Sequence, residues 1–392
     1  MQYRKLHKTD VKLSALGLGC MRLPQEGKNV DRPHALRMMR TAAERGVNYF
    51  DTAYMYHGGE SELVVAEALK EIGRGKVYVA TKMPCSQVEK KEDLTRILDD
   101  QLKKLGVDTI DFYLFHALSA NTWEKMQQFD ALTFLDKARE AGKIRFPGFS
   151  HHDSFDNFKE IIDAWPEWVV CQIILNYLDE KYQAGLQGSV YAAGHNVNTV
   201  VMEPLKGGLL TASAPESVTS LFRGADKDAP QANKDNSQAK KNTSLAEWAL
   251  RWVYGVPQVT CILSGMSDMR QLEENLDSFE KFGKLDNIEL GGAEKELFEA
   301  AKMAFLQYKG ISCTSCGYCV PCPAGVDIPA VFANYNLIKV FDSVGQAKMR
   351  YPRMIYSGTS ADKCVECGAC EQKCPQKLPI AALMKEAHAA MA

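Results

Sequence analysis

Eight short apolar runs, each followed by a stretch with helical periodicity, recur between residues 16 and about 280, and this alternation limits the fold more than any other feature. The runs are Leu16–Cys20, Tyr49–Asp51, Val77–Thr81, Ile110–Leu114, Ile144–Phe149, Val169–Ile173, Thr199–Met202 and Val259–Leu263. They are rich in β-branched and aromatic residues, as strands are. Between them lie amphipathic patterns such as His34–Arg45, Ser61–Ile72, Lys91–Leu105, Phe129–Ala141 and Leu245–Tyr254. Strands that alternate with helices run parallel and are joined by crossovers. Eight such units in roughly 270 residues suit a closed (β/α)8 barrel better than an open doubly wound sheet. No G-x-G-x-x-G follows an early strand, which also weighs against the open sheet. Residues 2–15 read as a hairpin turning at Lys8-Thr9-Asp10 and plugging the barrel bottom.

Residues 1–290 are therefore expected to form the barrel, 291–309 a linker helix, and 310–392 a separate small domain. One connection, from Met202 to Ser244, is long and polar. Long loops in compact domains are usually lids, binding loops or tethers. Its first part is expected to cover a cofactor or substrate, and residues 225–242 to be mobile.

Hydrophobic residues make up 46% and charged residues 24% of the 392, enough for a sizeable core. A formal net charge of −2 offers nothing to attract nucleic acid or an acidic membrane. The first residues, Met1-Gln2-Tyr3-Arg4-Lys5, lead into no apolar run, and no stretch approaches the length of a membrane span. A cytoplasmic protein with no nucleic-acid or membrane partner is the expectation.

Polar residues at the C-terminal ends of barrel strands need a chemical reason, because that face carries barrel active sites. Asp51 ends the second run with Tyr56 five residues on, Lys82 follows the third run, and His116 follows the fourth. An ammonium paired with Asp51 beside the Tyr56 phenol would favour the phenolate. Tyr56 could then act as general acid toward a carbonyl oxygen or as base toward an alcohol, with His116 orienting the oxygen.

Together these residues resemble the aldo-keto reductases over roughly residues 3 to 285. The carrying motif is Asp-Thr-Ala-x-x-Tyr (51–56) followed by His57-Gly58-Gly59-Glu60-Ser61-Glu62. Further matches are Gly19-Cys20-Met21, Gly148-Phe149-Ser150-His151, Gln172, Glu203-Pro204-Leu205-Lys206-Gly207-Gly208, and Gly265-Met266-Ser267 with Gln271, Glu274 and Asn275. The resemblance implies a TIM barrel that moves hydride between NADP (or NAD) and a small carbonyl/alcohol pair. It implies catalysis by Asp51, Tyr56, Lys82 and His116. Ser150, His151 and Gln172 would hold the nicotinamide carboxamide, with Met21 and Met202 at the same cofactor cleft. Pro204, Leu205, Lys206 and Gly207 would line the pyrophosphate. Gly265, Ser267, Gln271, Glu274 and Asn275 would meet the adenosine side through N–H groups at a helix start. Two positions depart from the family: Met202 stands where an aromatic residue commonly stacks on the nicotinamide, and Gly265 and Gln271 replace the basic residues that many members set against a 2′-phosphate. Arg270 lies nearby, and NADP is expected ahead of NAD.

Twelve cysteines divide into two groups. Cys20, Cys85, Cys171 and Cys261 are scattered in or beside strands, where buried inert thiols are expected. His57, His151 and His152 show no metal-ligand spacing. The other eight cysteines form Cys313-x-x-Cys316-x-x-Cys319-x-x-Cys322-Pro323 and Cys364-x-x-Cys367-x-x-Cys370-x-x-x-Cys374-Pro375. Zinc also binds paired C-x-x-C motifs, but three evenly spaced cysteines before a Cys-Pro read as iron–sulfur ligands, and in two-cluster ferredoxins the fourth cysteine serves the other cluster. Two [4Fe-4S] clusters are expected, one on Cys313, Cys316, Cys319 and Cys374, the other on Cys364, Cys367, Cys370 and Cys322. The long stretch between the motifs reads as a capped helix after Val326-Asp327-Ile328-Pro329 and a second over Gly345–Tyr351, as in helical ferredoxin-like modules fused to redox enzymes. The expected protein is thus an aldo-keto reductase-type oxidoreductase with attached electron transfer and an external one-electron carrier as a partner. The alternative is a redox sensor or electron carrier whose barrel binds nucleotide with little turnover.

Overall fold

Eight parallel strands close into a barrel in the computed structural model of the protein, which describes residues 1–27, 29–211, 214–228, 243–305, 307, 310–341 and 344–392. Before the barrel, β1 (Tyr3–Lys5) and β2 (Lys12–Ser14) pair antiparallel with Tyr3 opposite Ser14. Leu6, Val11 and Leu13 of this hairpin share one apolar cluster with barrel residues Tyr49, Phe112, Leu114, Val170, Val200 and Cys261, so the hairpin plugs the barrel as expected.

The first barrel strand is β3 (Leu16–Gly19); a small hairpin of β4 (Gln25–Glu26) and β5 (Asn29–Val30) follows it. The other barrel strands are β6 (Tyr49–Asp51), β7 (Tyr78–Met83), β8 (Ile110–Leu118), β9 (Ile144–His151), β10 (Val170–Ile174), β11 (Asn198–Met202) and β12 (Val259–Ser264). Each matches an apolar run to within a few residues, and β12 pairs with β3 to close the ring. The register sets Gly19 beside Asp51 and Ser150 beside Gln172, so the strand-end residues gather at one end of the barrel. Strands β9 and β10 approach closely at Gly148, where a Cβ would lie 2.5 Å from the Val170 carbonyl oxygen. Glycine is the residue that permits this pairing just before Ser150.

The crossover helices are α1 (Arg32–Glu44), α2 (Ser61–Ile72), α3 (Glu92–Leu105), α4 (Ala120–Gln128), α5 (Ala131–Glu140), α6 (Phe155–Asp163), α7 (Gly185–Gly194), α9 (Leu245–Tyr254) and α10 (Met269–Phe282). Local chemistry sets their ends. Asp31 caps α1 by accepting the His34 N–H, Ser154 caps α6 by accepting the Asn157 N–H, and Gly106 ends α3 in the left-handed region. Helix α3 buries Leu94, Ile97, Leu98, Gln101 and Leu105, the spacing of one helical face.

The chain divides into two compact units: Met1–Pro204 with Ala246–Gly291, and Leu205–Leu245 with Gly292–Ala392. The expected contiguous division at 290 and 310 differs from this grouping in two places. The connection after β11, with α8 (Glu216–Asp228), belongs to the second unit, and so does α11 (Gly292–Phe305), expected as a linker. Packing explains it: the Phe222 ring of α8 lies 5.8 Å from the Phe298 ring of α11. Of the segment 225–242, expected to be mobile, residues 225–228 close α8 and the remainder lies outside the described residues.

The rest of the second unit is helical: α12 (Ile328–Phe341), α13 (Val344–Tyr356), α14 (Ala369–Lys373) and α15 (Ile380–Met391). Its core joins Val331, Phe332, Tyr351, Ile380, Met384 and Ala387, with six of the clustered cysteines packed at its edge. No described helix is long and apolar enough to cross a membrane.

Candidate functional site

The structure brings the four strand-end residues together. Lys82 on β7 is fully buried, and its ammonium donates to Asp51 Oδ1 at 2.6 Å and to the Thr52 carbonyl at 2.8 Å. The same nitrogen stands 5.1 Å from the centre of the Tyr56 ring. The imidazole of His116 meets that ring edge-on, 5.8 Å between centres. Tyr56 is presented by a tight turn in which His57 and Gly58 both have positive φ. His57 is itself pinned, its Nε2 accepting the Leu23 N–H at 3.2 Å.

Burial pushes the Asp51 carboxyl above its ordinary range, and the Lys82 ammonium opposes that. Burial, followed by the nearby Lys82 charge and His152, holds His116 well below the usual imidazole value. His116 is therefore a neutral hydrogen-bonding group at neutral pH, not a cation.

Behind Lys82 stands a buried polar network of which motif reading reaches only Glu62. Glu62 Oε1 accepts from Thr81 Oγ1 at 2.6 Å and from Gln101 Nε2 at 2.8 Å. Gln101 Nε2 also donates to the Lys82 carbonyl, and Tyr113 donates its hydroxyl hydrogen to Gln101 Oε1. This braces the end of β7. Glu62 of the motif and a buried glutamine on the apolar face of α3 are its sequence signals.

The expected nicotinamide residues show a specific vacancy of hydrogen bonding. His151 Nε2 donates to Asn157 Oδ1 at 3.2 Å, which leaves Nδ1 as an acceptor. That buried Nδ1 and the buried Oε1 of Gln172 have no partner among the described residues, and burial pushes His151 down to about 4. Two orphaned acceptors suit the two N–H bonds of a carboxamide, so the nicotinamide end fits these residues. Ser150 Oγ accepts the Ala117 N–H at 2.7 Å instead, bracing β8 where Ala117 has φ +56°. Met21 lies half-buried in the turn after β3, and Met202 ends β11, also half-buried.

At the adenosine side, the Ser267 N–H donates to Gln271 Oε1, and Asp268 caps α10 through the Gln271 N–H. Asn275 ties α10 to β12 through Ser264 Oγ. Glu274 pairs with Arg270 at 3.2 Å. Gly265 is exposed, and a Cβ there would lie 3.2 Å from the Arg22 stem, a cation that motif matching passes over. Pro204 is buried at the end of the first unit; Leu205, Lys206 and Gly207 begin the second.

Cys20, Cys85, Cys171 and Cys261 are buried in the barrel. Burial pushes the Cys85 and Cys171 thiols up to about 12 and the other two higher still, as expected of inert thiols.

The clustered cysteines line two cavities in a crossed arrangement. Cys313, Cys316, Cys319 and Cys374 line one. Cys322, Cys364, Cys367 and Cys370 line another. Burial, then Cys316, Cys313 and Cys374, push the Cys319 thiol up to about 12, so these four sulfurs share one environment. Among the described residues no three His, Cys, Asp or Glu side chains converge on a single-ion site. The thiols ring a space instead, and a cubane takes each thiolate at a different iron, so the residues fit such a group.

Comparison with known proteins gives the same two parts. The aldo/keto reductase family matches residues 15–291, and a 4Fe-4S dicluster domain matches residues 312–378. An L-galactose dehydrogenase of Arabidopsis thaliana is 28% identical over 292 residues, covering 70% of this chain and 87% of the relative. An NADH-specific methylglyoxal reductase of Escherichia coli (strain K12) is 26% identical over 330 residues, covering 74% and 94%. The holo form of an aldo-keto reductase of Bacillus halodurans, AKR11C1, superposes with a TM-score of 0.59 at 24% identity, covering 77% of this chain and 96% of that one. A parallel eight-stranded barrel, the strand-end residues at its mouth and a family match over most of the chain lead to one conclusion: this oxidoreductase belongs to the aldo/keto reductase family and carries a 4Fe-4S dicluster domain after the barrel.

Proposed function

We propose that the protein catalyses NAD(P)H-dependent interconversion of a small carbonyl compound and its alcohol, with Tyr56 as the proton donor. The observation that carries this reading is the buried Lys82–Asp51 pair beside the Tyr56 ring, with neutral His116 at the ring edge. A nicotinamide held by His151 and Gln172 would supply or accept the hydride. Tyr56 gives its phenolic proton to the substrate oxygen, and in the reverse direction takes it back. Lys82, a fixed cation in a site of low dielectric, stabilises the charge left on the phenol oxygen. Asp51 holds that ammonium in place, and His116 orients the carbonyl as a neutral donor. His151 Nδ1 and Gln172 Oε1 would take the carboxamide N–H groups and so fix which face of the ring meets the substrate. Two relatives named for L-galactose and methylglyoxal support a small polar substrate. The test is anaerobic: nucleotide oxidation with a panel of sugars, hydroxyaldehydes and dicarbonyls, run separately with NADH and NADPH. No turnover with any carbonyl in either nucleotide would sink the reading.

We also infer two [4Fe-4S] clusters with crossed ligands, supported by the two four-cysteine cavities. These groups would supply one-electron steps, whereas hydride carries two electrons. The proposal therefore includes an external one-electron carrier that exchanges with the cluster domain. Protein purified without oxygen should contain about 8 Fe. An artificial one-electron donor should reduce the clusters and change their electron paramagnetic resonance (EPR) signal. Stoichiometric zinc without sulfide would refute the assignment.

A further inference from the structure

Lys206 follows β11 in sequence, yet its side chain is built into the cluster domain. The segment Leu205–Leu245 belongs to the second unit. Its turn is locked by Gly208 N–H to the Leu205 carbonyl at 2.9 Å and Leu209 N–H to the Lys206 carbonyl at 3.1 Å. Lys206 itself has φ +46°, a conformation a non-glycine residue holds only where its surroundings impose it.

Two contacts impose it. Gly207, at φ +63°, lies so close to Thr314 that a Cβ would stand 2.7 Å from the Thr314 Cα and carbonyl oxygen. The ammonium of Lys206, a residue only 5% exposed, donates to Gln376 Oε1 at 3.2 Å. Thr314 is the neighbour of Cys313, and Gln376 stands two residues after Cys374. Both Thr314 and Gln376 line the cavity ringed by Cys313, Cys316, Cys319 and Cys374. The two ends of the cysteine ring are thus gripped by one dipeptide distant in sequence from both.

We propose that Lys206, acting through Gln376, is a positioning residue that raises the reduction potential of the cluster held by Cys313, Cys316, Cys319 and Cys374. Reduction adds one electron, from an external one-electron donor, and hence one negative charge, with no atom transferred. A cubane on four thiolates is already negative overall. A buried ammonium one side chain away stabilises the added charge, and net charge and hydrogen bonding are the levers that set such potentials.

The inference rests on the cluster reading, and its test separates the two. Anaerobic redox titration of the whole protein, followed by EPR, would compare wild type with Lys206→Met, Lys206→Arg and Gln376→Leu. At the wild-type midpoint, Lys206→Met should lower the reduced-to-oxidised ratio of this cluster about tenfold, ~59 mV for one electron. Gln376→Leu should shift it the same way, Lys206→Arg should stay within about threefold, and the second cluster should not move. Should Lys206→Met fail to assemble, Gln376→Leu decides alone. Wild-type protein without iron and sulfide would sink the cluster reading. Variants with full clusters and unmoved potentials would overturn the role of Lys206, and so would weakened nucleotide affinity with the potential unchanged.

Discussion

Lys82 and Asp51 form a 2.6 Å ion pair inside the barrel, with side chains only 1% and 3% exposed. A buried pair of this kind contributes little net stability, because desolvation consumes most of the Coulomb gain. Removing one partner leaves an uncompensated charge and costs about 3–5 kcal/mol. Lys82→Met should therefore both abolish turnover and destabilise the barrel by about that amount. The double variant Asp51→Asn/Lys82→Met should regain most of the stability and remain inactive. All five tryptophans lie within the barrel unit, so their fluorescence in urea reports barrel unfolding alone. A double variant no more stable than Lys82→Met would show that the pair is not the energetic unit.

Tyr56→Phe removes a proton donor and keeps the ring that Lys82 and His116 pack against. Turnover should fall by about 10²- to 10⁴-fold, the usual worth of a positioned acid. Nucleotide affinity, measured by fluorescence titration, should stay within a few-fold. Equal loss of affinity and turnover would mean that the hydroxyl serves binding rather than proton transfer.

The neutral state of His151 makes stability depend on pH. Its folded value lies at about 4, below the ordinary 6.5, because burial disfavours the cation. Between those values the unfolded chain binds the extra proton, so this contribution is complete above about pH 6.5 and is lost as pH falls toward 4. The full effect is on the order of 3 kcal/mol. His116 is shifted in the same direction and contributes with the same sign. His151→Gln should flatten the acid limb of barrel stability measured by urea unfolding between pH 7.5 and 5. An unchanged slope would place the acid sensitivity elsewhere.

The barrel is legible in the sequence because each strand is an apolar run bounded by polar turns, and strand ends expose Asp51, Lys82 and His116 by position alone. Helices α4 and α7 are harder to read. Helix α4 buries only Trp123 and Met126, and α7 (GLQGSVYAAG) packs through small residues, so neither shows an apolar stripe. Glu62 falls in the carrying motif, but its network with Gln101 and Tyr113 escapes motif reading because the members come from α2, α3 and β8 and meet only in space. The grouping of residues 205–228 with the cysteine domain is equally invisible, since chain order argues for the barrel and only packing such as Phe222 on Phe298 argues otherwise. The crossed cysteine grouping is an expectation from the pattern of two-cluster ferredoxins, in which the fourth cysteine of each motif serves the other cluster.

That crossing has a sharp consequence for single cysteine variants. Cys374 lines the cavity with Cys313, Cys316 and Cys319, although its sequence neighbours Cys364, Cys367 and Cys370 line the other. Cys322 is exchanged in the opposite sense. The chain achieves this because both Ile328, at the start of α12, and Ile380, at the start of α15, border both cavities, so the two rings sit on either side of a shared apolar partition. Cys374→Ser should therefore weaken or empty the cluster of Cys313–Cys319 and spare the other. Cys322→Ser should do the reverse. Iron analysis of anaerobic protein should fall from about 8 toward about 4 Fe in each variant. The two variants should retain different EPR signals, each matching one component of the wild-type spectrum. Loss in Cys374→Ser of the same component that Cys364→Ser removes would refute the crossing and assign each motif its own cluster.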